Sequence, residues 1–204
     1  MSSKIKICGL SRMEDIAAVN RLMPEYIGFV FAPSKRRIDI KTAVRLKESL
    51  DSVIEAVGVF VNESIEEISE IYGNGIIDIV QLHGDEDDSY VSRLKDKCGC
   101  RVIKSVPVGI SLPPSQKLPA SSDYLLFDTL SIQRGGVGKP FDWNVLKEYC
   151  GKPYFLAGGL SAQNVSHAMR LLNPYCVDVS SGVETDGVKD PLKIEKFVNT
   201  VRGK

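Results

Sequence analysis

Eight short apolar runs rich in β-branched residues, separated by stretches with helical signals, constrain this chain more than any other feature. They fall at 4–8, 26–31, 55–61, 77–82, 101–106, 124–128, 154–157 and 176–180. Several are nearly continuous in apolar residues, which suits parallel strands covered on both faces better than hairpin strands with one wet side. Eight strands in 204 residues leave about 25 residues per unit. That rhythm predicts an α/β fold, a single (β/α)8 barrel spanning 1–204 and more compact than the usual ~250 residues. An open, doubly wound parallel sheet is the alternative architecture.

The helical stretches announce their own beginnings. Ser11-Arg12-Met13-Glu14 and Ser64-Ile65-Glu66-Glu67 read as capping boxes, and Asp190-Pro191 reads as an N-cap followed by proline at the first helical position. In the last helix Leu192, Ile194, Phe197, Val198 and Val201 form an apolar stripe expected to pack on the barrel exterior. One connection breaks the rhythm. Between Val106 and Tyr124 stand Pro107, Pro113, Pro114 and Pro119, so the fifth helix is expected to be irregular or missing.

Lysine plus arginine and aspartate plus glutamate number 26 each. A balanced chain offers no electrostatic case for nucleic acid or a membrane surface, and no apolar run reaches the ~18 residues of a spanning helix. The amino terminus runs directly into a strand without an apolar signal core, which predicts a cytosolic protein. Five cysteines are odd in number and scattered, and Cys98-Gly99-Cys100 has one intervening residue where metal or redox pairs usually have two. Reduced thiols follow. With His83 and His167 the only histidines and well apart, no metal site is expected. The oligomeric state stays open between monomer and homodimer.

If the fold is a barrel, chemistry belongs at the C-terminal ends of the strands, where the βα loops share one mouth. Polar residues ending the apolar runs are then Cys8, Gln81 with His83, Asp128, and Asp178 with Ser180 and Ser181. Two glycine turns, Gly158-Gly159 after strand 7 and Ser181-Gly182 after strand 8, occupy the positions where barrels commonly cradle a phosphate. A glycine that merely permits a tight turn is the competing account of each, but both turns together point to a phosphorylated small-molecule substrate. Ser34-Lys35-Arg36-Arg37, after strand 2, is either a solvated charge run or a clamp for a carboxylate. Cys8 is either a small hydrophobe in a strand or an acid–base thiol, with Asp128 its partner carboxylate. Trp143 is expected to start a helix against the barrel wall, and His167 to lie on a helix surface.

Nine segments in order resemble one family across essentially the whole chain. They are Lys6-Ile7-Cys8-Gly9, Gly28-Phe29-Val30-Phe31, the Ser34-Lys35-Arg36 turn, Val57 to Asn62, Gln81-Leu82-His83-Gly84, Phe127-Asp128, Gly135-Gly136-Val137-Gly138 with Phe141-Asp142-Trp143, Gly158-Gly159-Leu160, and Asp178 to Glu184. The set is similar to phosphoribosylanthranilate isomerase. That resemblance implies an isomerase of tryptophan biosynthesis that needs no cofactor. It would convert N-(5-phosphoribosyl)anthranilate into 1-(2-carboxyphenylamino)-1-deoxyribulose 5-phosphate by an Amadori rearrangement.

By the same resemblance Asp128 is the general acid and Cys8 the general base. Arg36, or Arg37 because the turn after Pro33 is one residue shorter than in many members, would hold the anthranilate carboxylate. Gly158, Gly159, Ser180, Ser181 and Gly182 would hold the phosphate, with Gln81, His83 and Asp178 lining the mouth. Gly135 to Gly138 would form a loop that closes over substrate. Two rivals remain at this point: the related aminoaldose isomerase of histidine biosynthesis, which pairs two aspartates, and a non-catalytic phosphate-binding barrel.

Overall fold

The computed structural model describes residues 3–112, 118–129 and 141–204. Eight parallel strands close on themselves in chain order: β1 Lys4–Cys8, β2 Tyr26–Val30, β3 Glu55–Phe60, β4 Ile79–Leu82, β5 Arg101–Val108, β6 Tyr124–Thr129, β7 Tyr154–Leu156 and β8 Cys176–Val179. Each matches one of the eight apolar runs to within two residues at either end. Closure is direct, since β1 pairs with both β2 and β8, with Cys8 opposite Gly28 and Lys6 opposite Asp178.

Strand parity divides the residues between two cores. On one face Tyr26, Val57, Ile79, Ile103, Leu126, Phe155 and Cys176 fill the barrel interior. On the other, Ile5, Ile7, Ile27, Val80, Val102, Leu125, Phe127 and Val177 pack with the surrounding helices in the larger cluster. Lys4, Lys6 and Cys8 share the interior parity of β1, as Gln81 and His83 do beyond Ile79, Asp128 beyond Leu126, and Asp178 beyond Cys176. Two-residue periodicity therefore sends Cys8, Gln81, His83, Asp128 and Asp178 to the inside of one mouth.

Among the described residues six α-helices cover the barrel: α1 Met13–Leu22, α2 Ile40–Glu48, α3 Ile65–Gly73, α4 Asp88–Cys98, α5 Val165–Leu172 and α6 Pro191–Arg202. The start of α1 differs from the expected Ser11 box. Arg12 is the N-cap, and Asp15, almost wholly buried, accepts the backbone N–H groups of both Ser11 and Arg12 and the Arg12 guanidinium. At α3, Ser64 does cap the Glu67 N–H, but Glu63 rather than Glu67 takes the Ser64 N–H. Asp190 caps α6 with Pro191 behind it, as read, while Leu192 leaves the stripe and is exposed, because it lies outside the buried face of Ile194, Phe197, Val198 and Val201.

No helix connects β5 to β6 among the described residues, in line with the prolines there, of which Pro113 and Pro114 lie outside those residues. The β6–β7 connection also lacks an α-helix among its described residues and carries only a 3-10 turn, Trp143–Leu146, with Trp143 buried against the wall. Beyond β8 the chain forms a small antiparallel hairpin, β9 Glu184–Thr185 and β10 Val188–Lys189. No helix is long and apolar enough to cross a membrane among the described residues.

Candidate active site

A cavity of about 280 Å³ opens at the C-terminal mouth of the barrel. Its wall includes Cys8, Arg36, Gln81, His83, Asp128, Gly158, Gly159, Asp178, Ser180 and Ser181, so most of the sequence candidates converge in one place. Val30, Ala32, Val59, Val61 and Leu160 add an apolar side. Two candidates do not line it. Arg37 pairs its backbone with Val30 and projects outward, exposed, so Arg36 is the arginine turned to the mouth. Gly182 is instead a packing position: a Cβ there would collide with the Leu160 carbonyl, so glycine is what lets the loop after β8 close on the loop after β7. Gly135 to Gly138 lie outside the described residues.

Asp128 is held from two sides. Its Oδ1 accepts the Thr129 N–H at 2.7 Å, and its Oδ2 faces His83 Nε2 at 3.5 Å. His83 Nδ1 lies 3.1 Å from Gln81 Nε2, an amide nitrogen that can only donate, so Nδ1 is the acceptor and Nε2 the ring nitrogen with a proton toward Asp128. Gly158 presses from the loop after β7. Its φ of +82° suits glycine, and a Cβ would stand 2.7 Å from Thr129 N and 2.9 Å from Asp128 Oδ1.

Cys8 sits half-buried on the opposite wall, with Gly28 leaving room for its sulfur across the β1–β2 pairing. Burial pushes its thiol up, Lys6 and Lys189 pull it down, Asp178 adds to the rise, and the net direction is upward. Lys6 and Lys189 carry no sequence expectation of chemistry, yet both are buried. Lys6 Nζ is 2.8 Å from Asp178 Oδ2, and Lys189 Nζ reaches the Ser180 carbonyl at 3.0 Å and the Glu184 carboxylate. Burial works against the Lys6 ammonium, but Asp178 and Cys8 outweigh it and raise its pKa. Lys6 had one legible signal, a charge on the same strand face as Cys8.

Arg36 already holds a carboxylate. Its Nε and Nη2 contact Glu184 at 2.6 and 2.9 Å, a bidentate pair that leaves the Nη1 side for a second acceptor. For Glu184, burial favours the neutral acid, but Arg36 and Lys189 outweigh it and hold the carboxyl below its ordinary range. Glu184 and Lys189 face each other in the β9–β10 register. The hairpin's turn, Asp186-Gly187 with φ of +53° and +79°, is the two-residue turn that Asp-Gly favours, a signal available in the sequence and not used above.

Two buried acceptors in the pocket wall, Gln81 Oε1 and Asp178 Oδ1, have no hydrogen-bond partner among the described residues. Buried polar atoms are nearly always paired, so both mark places where a ligand's donors would be welcome. No cluster of three metal-ligating side chains occurs among the described residues.

The family model for N-(5'-phosphoribosyl)anthranilate isomerase matches residues 5–200. A protein of that name from Endomicrobium trichonymphae is 51% identical over 200 residues, 98% of each chain, and one from Clostridium acetobutylicum is 48% identical over 203 residues, again 98% of each. Among solved structures, the Thermotoga maritima enzyme of that name superposes with a TM-score of 0.88 at 34% identity, covering 99% of this chain and all of that one. A structure of the enzyme bound to reduced 1-(o-carboxyphenylamino)-1-deoxyribulose 5-phosphate has a TM-score of 0.84 at 32% identity, with coverage of 99% and 100%.

Proposed function

This chain belongs to the N-(5'-phosphoribosyl)anthranilate isomerase family, and from that premise we propose that Cys8 and Asp128 divide the acid–base work of the reaction. The reaction converts N-(5-phosphoribosyl)anthranilate into 1-(2-carboxyphenylamino)-1-deoxyribulose 5-phosphate, in tryptophan biosynthesis. One observation carries the division of roles: an acid and a thiol end strands on opposite sides of a single cavity, each with its own supporting groups.

Asp128 protonates the ribose ring oxygen, the C1′–O bond breaks, and the anilino nitrogen becomes an iminium. Thr129 occupies Oδ1, so Oδ2 is the oxygen left to carry the proton. The iminium charge acidifies the C2′–H bond. Cys8 takes that proton as thiolate, the C–H pair moves toward nitrogen, and the resulting enol relaxes to the C2′ ketone.

The wall supplies the orientation. The phosphate sits between Gly158-Gly159 and Ser180-Ser181, the aromatic ring lies along Val30, Ala32, Val59 and Val61, and the anthranilate carboxylate meets the Nη1 side of Arg36. Gln81 Oε1 and Asp178 Oδ1 accept from the ribose hydroxyls. We assign the protein to the cytoplasm as a monomer or homodimer, since its five cysteines are free and a dimeric Thermotoga maritima relative has yielded monomers. The test follows the anthranilate fluorescence of freshly made substrate. Cys8→Ser and Asp128→Asn should each lower kcat at least ~100-fold with KM changed little. Near-normal turnover in either variant removes that residue's role.

A further inference from the structure

A thiol that burial has pushed up makes a poor resting base, and the groups around it supply what it lacks. Lys6 lies two residues before Cys8 on the same inward face of β1, its side chain fully buried and its ammonium 2.8 Å from Asp178 Oδ2, and its charge favours the Cys8 thiolate. Lys189 approaches from β10 and Arg36 from the loop after β2, both engaged by Glu184. Three cations on this side of the mouth thus face two carboxylates, Asp178 and Glu184. The remaining titratable groups of the mouth, His83 and Asp128, project from β4 and β6 on the far side. Among the described residues of this side of the mouth, the positive charges outnumber the negative ones by one.

We propose that Lys6 is a positioning residue for the proton abstraction, its buried ammonium easing the ionisation of Cys8, and that Asp178 opposes it, so that the lysine–aspartate pair sets how readily the sulfur ionises. This rests on the reading of Cys8 as the base. Lys6 keeps its own proton throughout. The proton released by the thiol leaves through the open mouth, and the one taken from C2′ forms the new S–H bond while the C–H electron pair neutralises the iminium. The argument is one of charge and place. An ammonium with no solvent contact stays charged only if it is paired; Asp178 supplies that pair at 2.8 Å, and Cys8 is the ionisable group next along the same strand face.

The experiment reads the sulfur directly. The rate at which iodoacetamide alkylates Cys8, followed on the Cys8 peptide by mass spectrometry across pH, reports the thiolate population apart from turnover. Lys6→Met should move the labelling midpoint up by about one unit or more, a tenfold smaller thiolate fraction at a given pH. Asp178→Asn should move it down, and Lys6→Arg should bring it back toward the parent. The acid limb of kcat/KM should follow in the same directions. Asp178→Asn is close in shape to the parent and carries the test if Lys6→Met does not fold. A midpoint that stays within about 0.3 unit of the parent in the folded variants, or that moves the same way in Lys6→Met and Asp178→Asn, overturns the inference. Labelling that shifts as expected while the kcat/KM limb stays fixed refutes Cys8 as the base and leaves the ionic contact standing.

Discussion

Gly158→Ala tests how tightly the loop after β7 is built against Asp128, the proposed acid. The residue has a φ of +82°, where an L side chain costs about 1–2 kcal/mol. The new methyl would also stand 2.7 Å from Thr129 N and 2.9 Å from Asp128 Oδ1, and because the first of these is backbone, relief requires moving β6 or the loop itself. Overpacking of this kind costs about 1–3 kcal/mol, for a total of roughly 2–5 kcal/mol. In a chain of 204 residues that lowers Tm by about 5–15 °C.

Gly187→Ala supplies the control. Its φ of +79° is nearly the same, but nothing lies within 4 Å of its Cβ position, so it isolates the conformational cost. Gly158→Ala should therefore be the more destabilising of the two in thermal and urea unfolding. Only Gly158→Ala should reduce kcat/KM, by ten- to a hundredfold, because displacing the proposed acid Asp128 by a fraction of an ångström degrades the geometry of proton transfer. If the two variants lose the same stability and Gly158→Ala keeps kcat/KM within twofold, the close approach to Asp128 has no consequence and the reasoning fails.

Arg36→Ala should raise KM at least tenfold with kcat less affected, whereas Arg37→Ala should leave both near the parent; steady-state kinetics on the two variants decides which arginine meets the substrate carboxylate. Glu184 is held below its ordinary value near 4.5, so its ionic stabilisation is complete above that pH and is lost as pH falls through the lower folded value. Urea midpoints measured from pH 6 to 3 should show the parent losing this increment and Glu184→Gln lacking it. Glu86, nearly buried, receives Lys104 Nζ at 2.9 Å and the backbone N–H groups of Asn62 and Gly84 at 2.7 and 2.9 Å. Glu86→Gln breaks a buried pair and should cost about 3–5 kcal/mol in urea unfolding.

The barrel could be read from residue order because each of its strands is a local event. A run such as Ile77 to Leu82 is too apolar to be exposed on either face, and eight such runs with helical stretches between them leave few topologies. The rule that chemistry gathers at strand ends singled out Cys8, Gln81, His83, Asp128 and Asp178 without any knowledge of distance, and all five line one cavity. What failed was local detail set by competition among neighbours. Arg12 displaced Ser11 at the α1 cap because Asp15 could take both backbone donors at once, and Glu63 displaced Glu67 at α3.

The chain alone determined the fold class, the inward parity of its polar strand ends and the family to which it belongs, since all three depend on residue type and spacing. Tertiary structure decided which charges meet. Lys6 and Asp178 stand 172 positions apart and pair only because β1 closes on β8, and Arg36 finds Glu184 across 148 positions only because the hairpin after β8 folds back over the mouth. Long-range ion pairs leave no periodic trace in a sequence. The environment of the Cys8 thiol is built almost entirely from them.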